Sequence, residues 1–496
     1  MEVYKNYIAG QWVEAQSREK YVKLNPATGQ AIGKFPLSGA EDTNRAVESA
    51  KKAFDQWSRV PVPVRGEIMH RFANLLTKHK QDLAEGETSE MGKIIKETRG
   101  DVQEGIDTAH FAIGESCRLY GKTVPSELPN KICLTVRKPI GVAALITPWN
   151  FPAALPCWKI IPALLTGNTV VFKPSRDAPW TAARLVELFL EAGVPPGVIN
   201  LVQGPGEVVG NVLSAHPDVG VISFTGSVAV GAQVGAAAGK HLKKVSLELG
   251  GKNGLIVMED ADLKLVLEGV LWGAFGTTGQ RCTATSRLIL HEDIHDEFVS
   301  MLVDRANRIK IGNGLDETVQ MGPLVSETQR EKVHKYVEIG KNEGAKLLCG
   351  GQFHSEDDCR NGYFYKPTIF TNVTCRMRIA REEIFGPVLA VIKVGSLEEA
   401  VKTINDSEYG LSASIYTRNV NDAMRAVQEI QAGVVSVNGA TIGAECHLPF
   451  GGVKNSGNGH REGGWAAYEL FTAEHTVYVD YSGKLQKAQL DTRREG

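Results

Sequence analysis

No two of the eight cysteines in this 496-residue chain are spaced CxxC, and no Cys/His cluster has the spacing of a zinc site. That excludes a structural zinc module and a thioredoxin-type dithiol, and it argues for free thiols in a reducing compartment. Charge of one sign is equally scarce. The 55 Lys and Arg against 57 Asp and Glu leave a formal net charge of −2, so overall electrostatics draw the chain neither to nucleic acid nor to an acidic membrane surface. The opening MEVYKNYIAGQW lacks a basic segment followed by an apolar run and does not read as a secretory signal. A long unbroken apolar run is missing too. The most apolar stretch, 142–172, is interrupted by Pro148, Pro152, Pro156 and Pro162, which rules against a spanning helix. The final TRREG matches no retention or peroxisomal address, and there is no internal repeat or low-complexity tract.

What is present is the composition of a globular protein, 43% hydrophobic and 23% charged, in a chain too long for one ordinary core. The expectation is a cytoplasmic protein of two or three domains, with no metal, nucleic-acid or membrane partner. From Val142 to Glu248 short β-branched runs (142–146, 169–172, 198–202, 221–224 and 245–248) alternate with helical patterns. One helix, PWTAARLVELFLEAG, has Pro179 at its start and Gly193 at its end. Another, AALPCWKIIPALLTG, stops at Gly167. Apolar strands alternating with helices predict a parallel, doubly wound sheet, which binds ligands at the carboxyl ends of its strands. A second α/β region runs from about Leu255 to Val437, with RLIL, PVLAVIKV, SASIYT and GVVSVN as strands and Ser396 and Glu399 as a capping box. The segment 120–137 and the tail from Thr472 are extended and fit neither sheet; they predict a projecting strand arm.

Several short segments carry chemistry. In GPGEVVG, Gly204, Gly206 and Gly210 stand between a strand and a helix, as a phosphate-binding turn or an ordinary tight turn. In FTGSVAVG, Phe224 ends a strand and Gly226 and Ser227 open the next helix, where free N–H groups suit a pyrophosphate and Ser227 suits a cap. VVFKPSR puts Lys173, Ser175 and Arg176 at a strand's carboxyl end, as ribose or phosphate ligands or as solvated charges. Glu248 ends an apolar strand before two glycines; a buried carboxylate there has a raised pKa, which suits a general base. EEIFGPV pairs Glu383 with Phe385, and TPWNFP packs Trp149, Asn150 and Phe151 between prolines, with Asn150 able to donate to an oxyanion. Cys282 lies in GTTGQRCTATSRL, behind glycines and beside Arg281, a setting for a nucleophile rather than a core thiol.

Taken together, TPWNFP, KPS, FTGS, LELGGK, GQRC, EEIFGPV and PFGG occur in the order and spacing of the NAD(P)-dependent aldehyde dehydrogenase superfamily, which the chain resembles over nearly its whole length. The resemblance implies an α/β fold of three parts. These are a Rossmann-like cofactor domain (1–119 and 141–250), an α/β catalytic domain (251–467) and a β-strand oligomerisation arm (120–140 and 468–496) that makes a homodimer or homotetramer. It implies Cys282 as nucleophile, Asn150 as oxyanion donor, Glu248 as base, and Lys159 and Glu462 as a proton relay. Here GxGRE reads GNGHRE, with His460 extra, which puts Glu462 out of step. Cofactor contacts are implied at Ile146, Thr147, Trp149, Lys173, Ser175, Arg176, Gly206, Gly210, Phe224, Gly226, Ser227, Leu249, Glu383 and Phe385.

The base Glu248 favours hydrolysis over transfer to coenzyme A. GQRCTATSRL and GAECHLPFGG look closest to α-ketoglutarate-semialdehyde dehydrogenases, and less close to aminoadipate-semialdehyde or broad-specificity enzymes. Arg281 would grip a substrate carboxylate with two parallel hydrogen bonds, or pair with a protein carboxylate instead. Phe151, Trp158 and Phe450 would line the pocket, and Gly276, where many relatives carry an aromatic, would leave room for a longer substrate. NAD-preferring relatives carry a glutamate three residues after the loop lysine; here that position is Arg176, so NADP and NAD are both expected to work, with NADP preferred. A non-catalytic binding protein and a cysteine esterase on the same fold are the readings of another class.

Overall fold

The computed structural model describes residues 1–491; the TRREG segment and the end of the predicted arm, 492–496, lie outside the described residues. Five parallel strands, in the spatial order Lys244–Glu248, Val219–Thr225, Val142–Ile146, Thr169–Lys173 and Ile199–Leu201, form the body of a seven-stranded sheet. The N-terminal strands Asn6–Ile8 and Gln11–Val13 extend it antiparallel. Helices cover both faces, and the strands are mostly apolar and buried, as a doubly covered sheet requires, with Ser223, Ser246 and Asn200 among the buried polar exceptions. The chain leaves Val142–Ile146 in one direction for the next two strands and returns on its other side for Val219–Thr225. The crevice of such a sheet opens where that direction reverses. It therefore lies between Thr147–Phe151 and Gly226–Ser227.

The second seven-stranded sheet runs Lys346–Cys349, Thr368–Thr371, Val388–Val394, Thr285–His291, Asn253–Val257, Ser412–Tyr416 and Val434–Val437, all parallel except the first. The capping box forms with a shift. Ser396 accepts from the Glu399 N–H, and the Glu399 carboxylate accepts from Gly395 rather than from Ser396. Ser227 departs from expectation: it occupies the cap position of Val228–Gly239, but its hydroxyl accepts no backbone bond there.

Thr472–Asp480 pairs with Lys131–Pro139 along its whole length, and Thr123–Pro125 adds a third antiparallel strand. This small sheet carries Tyr120, Ile132, Tyr478 and Tyr481 exposed. No helix among the described residues is long and apolar enough to cross a membrane.

One buried side chain joins the small sheet to the first body. The Asn168 carbonyl oxygen accepts from Ile140 N (2.8 Å) and Gly141 N (3.0 Å), and its amide donates to Phe471 O (2.8 Å). Replacing it with alanine leaves the half-buried Ile140 and Gly141 N–H groups and the buried Phe471 carbonyl without these partners, about 1 kcal/mol each, with the cost falling mainly on the buried carbonyl. Asn168→Ala is expected to destabilise the fold by about 2–4 kcal/mol, read as a lower urea midpoint; an unchanged midpoint would refute the role.

Candidate active site

The carboxyl end of one sheet runs directly into the amino end of the other. Glu248 is the last residue of its strand, Leu249 to Lys252 form the link, and Asn253 begins the next strand. Gly251 is tight at this link: a Cβ there would lie 2.6 Å from the Cys282 carbonyl oxygen. The Asn253 amide donates to Cys282 O (2.8 Å) and Ala284 O (2.9 Å), while its oxygen accepts from Ser412 N (3.0 Å). The base candidate and the nucleophile candidate are thereby held by one short connection.

Before Cys282 the backbone is strained. Thr277 and Thr278 have φ of 51° and 57°, in the left-handed region that β-branched residues avoid, and Gly279 follows at 68°. Several bonds impose this course. Glu97 accepts from Thr277 N (2.7 Å), Thr278 Oγ1 donates to Gly322 O (2.9 Å), and Gln280 Oε1 accepts from Val325 N (3.0 Å). A Cβ on Gly279 would lie 2.2 Å from Gly386 O, so only glycine fits. Burial, with the charges of Glu383 and Glu248 nearby, pushes the Cys282 thiol up to about 12.

Asn150 sits in the loop before Ala154–Leu165. It is almost fully buried, yet its side chain makes no hydrogen bond among the described residues, and Oδ1 is enclosed without a partner. The turn therefore does not use the amide. What fixes the loop is a charged cluster beneath it. Lys93 Nζ pairs with Asp101 (2.6 Å) and Glu87 (3.1 Å) and lies 3.8 Å from the centre of the Phe151 ring. Asp101 also accepts from Ala154 N at 2.7 Å.

Glu248 is 2% exposed, and neither carboxylate oxygen has a hydrogen-bond partner. Burial first, and the Glu462 charge second, hold its pKa well above the usual carboxylate range; Lys159 and Arg461 pull the other way. Its carboxylate points at Gly451, where a Cβ would lie 2.5 Å from Oε1. Lys159 Nζ bonds Glu462 and Ser223 Oγ (2.8 Å), and Ser223 Oγ donates to Glu462 Oε1 (3.0 Å). The extra His460 does not displace Glu462, whose backbone pairs both ways with Phe450 (2.6 and 2.7 Å).

Of the aromatics expected to line a substrate pocket, Trp158 and Phe450 pack together, while Phe151 lies against Lys93 and Arg281. Trp158 and Phe450 meet edge to face, 5.3 Å apart, and Cys282 packs against them with Leu155 and Leu411. Trp158 Nε1 donates to Glu104 (3.1 Å), whose carboxyl burial raises to about 7. Arg281 is already engaged. Nη2 pairs with Glu97 (3.2 Å), Nε donates to Thr277 Oγ1 (2.8 Å), and the guanidinium lies over Trp272 and Phe151. Only Nη1 has no hydrogen-bond partner among the described residues. The room expected at Gly276 is filled, because a Cβ there would meet Glu97 Oε1 at 3.2 Å and the Trp272 ring at 3.3 Å.

Along the crevice, Trp149 and Phe385 meet edge to face at 5.4 Å, and Glu383 accepts from Gly251 N at 3.0 Å. Thr147 N donates to Lys173 O across the strand ends, next to Ile146. Lys173 is nearly buried, and its side chain makes no hydrogen bond or ion pair among the described residues; burial and then Arg176 depress its pKa to about 8. Its Nζ faces Gly206, the start of the turn that ends at Gly210, with 3.8 Å to a Cβ placed there. Ser175 Oγ accepts from Asp177 N. Phe224, Gly226 and Leu249 form the opposite wall, where Leu249 packs on Gly231. An unpaired, desolvated lysine beside a glycine turn, with a carboxylate and an aromatic at the other end, fits an anionic dinucleotide. No group of residues suited to a metal ion occurs among the described residues.

Asn253, Ser223, Glu97 and the Lys93 cluster were not visible in the sequence reading. Asn253, Ser223 and Glu97 partner residues far away in the chain, and an asparagine opening an apolar strand is the one local signal; Lys93 pairs with nearby Glu87 and Asp101 but meets the distant Phe151 ring. The thiol offers a direct check. Site-resolved alkylation of Cys282 by iodoacetamide, without cofactor, should keep accelerating up to pH 10, and Glu383→Gln should speed it several-fold at pH 8 by removing a negative neighbour. A plateau near pH 8 in both proteins would contradict this electrostatic account.

The chain matches the Aldehyde dehydrogenase family over residues 12–477. It is 45% identical over 477 residues to alpha-ketoglutaric semialdehyde dehydrogenase of Bacillus subtilis, covering 96% of this chain and 98% of that one. It is 43% identical over 479 residues to alpha-ketoglutarate semialdehyde dehydrogenase of Haloferax volcanii, covering 96% and 99%. Its fold is similar, with a TM-score of 0.95 at 35% identity, to the crystal structure of betaine aldehyde dehydrogenase from Staphylococcus aureus in complex with NAD+, covering 97% and 96% of the two chains. With the family match spanning nearly the whole chain, this protein belongs to the aldehyde dehydrogenase family of enzymes.

Proposed function

We propose that this enzyme oxidises an acid semialdehyde, α-ketoglutarate semialdehyde, to its carboxylic acid through a thioester on Cys282, using NADP in preference to NAD. The observation that supports the reading is a buried carboxylate, Glu248, without a hydrogen bond among the described residues, whose charge acts on the Cys282 thiol and which lies beside a Lys–Ser–Glu network. In this scheme Cys282 Sγ bonds the aldehyde carbon, and its proton leaves to solvent. The Asn150 amide and the Cys282 N–H hold the oxyanion. When bound, the nicotinamide supplies the hydride acceptor that turns the thiohemiacetal into a thioester. Glu248 then takes a proton from the water that attacks the thioester, and Lys159, Ser223 and Glu462 carry that proton away. Lys173, Ser175, Gly206, Glu383 and Phe385 hold the cofactor, and the unpaired Lys173 and Arg176 favour a 2′-phosphate. The first sheet is the cofactor body, the second the catalytic body, and the three-stranded sheet, with its exposed tyrosines and open edge, is the surface for a homodimer or a dimer of dimers.

The chemistry has a sharp test. Glu248→Gln should still release one equivalent of reduced cofactor in a burst, while steady turnover falls about 10²–10⁴-fold; unchanged steady turnover would end the assignment.

Substrate selection is tested separately. With Nε and Nη2 of Arg281 taken, Nη1 offers a single charge-assisted bond to the distal carboxylate, about 1.5 kcal/mol or roughly tenfold. α-Ketoglutarate semialdehyde should give a higher kcat/KM than malonate semialdehyde or betaine aldehyde. Arg281→Ala should raise KM about tenfold for acid semialdehydes alone; equal losses on alkyl aldehydes would mean that Arg281 only supports the loop.

A further inference from the structure

The loop that ends Thr169–Lys173 is bound from outside its own sheet. The N-terminal hairpin Lys20–Leu24 and Ala31–Pro36 packs beside it, and Tyr21 Oη donates to Arg176 O at 3.0 Å. From the same strand Lys23 reaches the loop's one carboxylate, Asp177, with Nζ 3.9 Å from Oδ1. The Lys23 side chain is 6% exposed, a burial that is costly for a cation and that a carboxylate within reach offsets. Glu90 is the other acid nearby, but its carboxylate is occupied by Trp180 N and by the N–H and hydroxyl of Thr181, at the start of Pro179–Glu191. Burial lowers the Lys23 pKa, and Asp177 and then Glu90 oppose that shift.

The charges of the loop are therefore sorted. Among the described residues Lys173 and Arg176 make no ion pair, and Asp177 has one. We propose that Lys23 is a specificity-determining positioning residue for the cofactor: it draws the Asp177 carboxylate to the hairpin and leaves two unpaired cations to meet a 2′-phosphate. A carboxylate released towards the ribose would accept from its 2′-hydroxyl and repel a phosphate there. Lys23 touches no cofactor in this arrangement; it acts through Asp177. The inference rests on the NADP reading above.

Calorimetric titration of the full enzyme with 2′,5′-ADP and with 5′-AMP tests it without turnover. The wild-type ratio of the two dissociation constants tests the cofactor reading; if 2′,5′-ADP binds no tighter than 5′-AMP, that reading fails. The change of the ratio on mutation tests the Lys23 inference separately. Lys23→Met should weaken 2′,5′-ADP about tenfold and change 5′-AMP by less than about twofold. In an Asp177→Asn background the same substitution should leave the ratio unmoved, an outcome that a merely structural role for Lys23 would not give. An unchanged ratio in Lys23→Met, or an equal shift in the Asp177→Asn background, overturns the proposal. Should Lys23→Met fail to fold by circular dichroism, Lys23→Gln is measured in the same way, with the same outcomes.

Discussion

The side chain of Asn253 is the constraint on which the rest of this site depends. Its amide holds Cys282 O and Ala284 O, and its oxygen holds Ser412 N, so a single buried carboxamide fixes the nucleophile loop against two strands of the second sheet. Its own position is set by the first sheet, because only Leu249 to Lys252 lie between it and Glu248. Removing the amide would leave two carbonyls and an N–H unpaired in the interior and would loosen Cys282 relative to Glu248. Sub-ångström placement of a nucleophile against a base is worth orders of magnitude in rate, so this connection bears on chemistry as much as on stability. The left-handed Thr277 and Thr278 belong to the same device. Strain of this kind persists only where surrounding bonds over-determine it, and Glu97, Gly322, Pro323 and Val325 supply those bonds.

Charge around the site is arranged in compensated groups. Lys93 answers Glu87 and Asp101 beneath the Asn150 loop, Arg281 answers Glu97 beside the thiol, and Lys159 answers Glu462 behind the base. Buried pairs of this kind add little net stability compared with apolar packing, but breaking one leaves an uncompensated charge. Their effect here is geometric: each pins a loop that carries a reacting group. The cost to recognition is visible at Arg281. A guanidinium shared with Glu97 presents a weakened field, so in the function proposed above an anionic substrate would meet one Nη1 contact and the shape set by Trp158, Phe450 and Leu411.

Most of the fold could be read from the sequence, because strand and helix patterns are local. The runs at 142–146 and 169–172 became strands at nearly those bounds, and Pro179 and Gly193 bracket their helix as expected, with Gly193 at φ 102°. Glu462 reaches Lys159 despite the extra His460, with Gly459 at φ 97° in the loop before it. What could not be read was the set of partners. Arg281 meets Glu97 across 184 positions, and Trp272 and Glu97 fill the space that Gly276 was expected to open. Ser227 has the sequence of a cap without its hydrogen bond. A motif states which groups are present; whether a charge is free depends on distant segments folded against it.

Glu248 and Glu462 show how such compensation can set a titration. The two carboxyls share a buried space, and Lys159 bonds Glu462 directly. After burial itself, the Glu462 charge raises Glu248 further, while Lys159 pulls the other way. Glu248 is left without a hydrogen bond and with a high proton affinity, the properties required of a base that takes a proton from water and passes it on. The same shift acts on stability. Between the ordinary carboxylate value of the unfolded chain and the raised native value, the native state binds more protons than the unfolded one. Stability from this residue is fully present below that window and falls as the pH rises through it. At neutral pH the fold thus carries a destabilising group at the end of its edge strand. The surrounding apolar sheet and the short link to Asn253 hold it there, as the proposed role of a base would require.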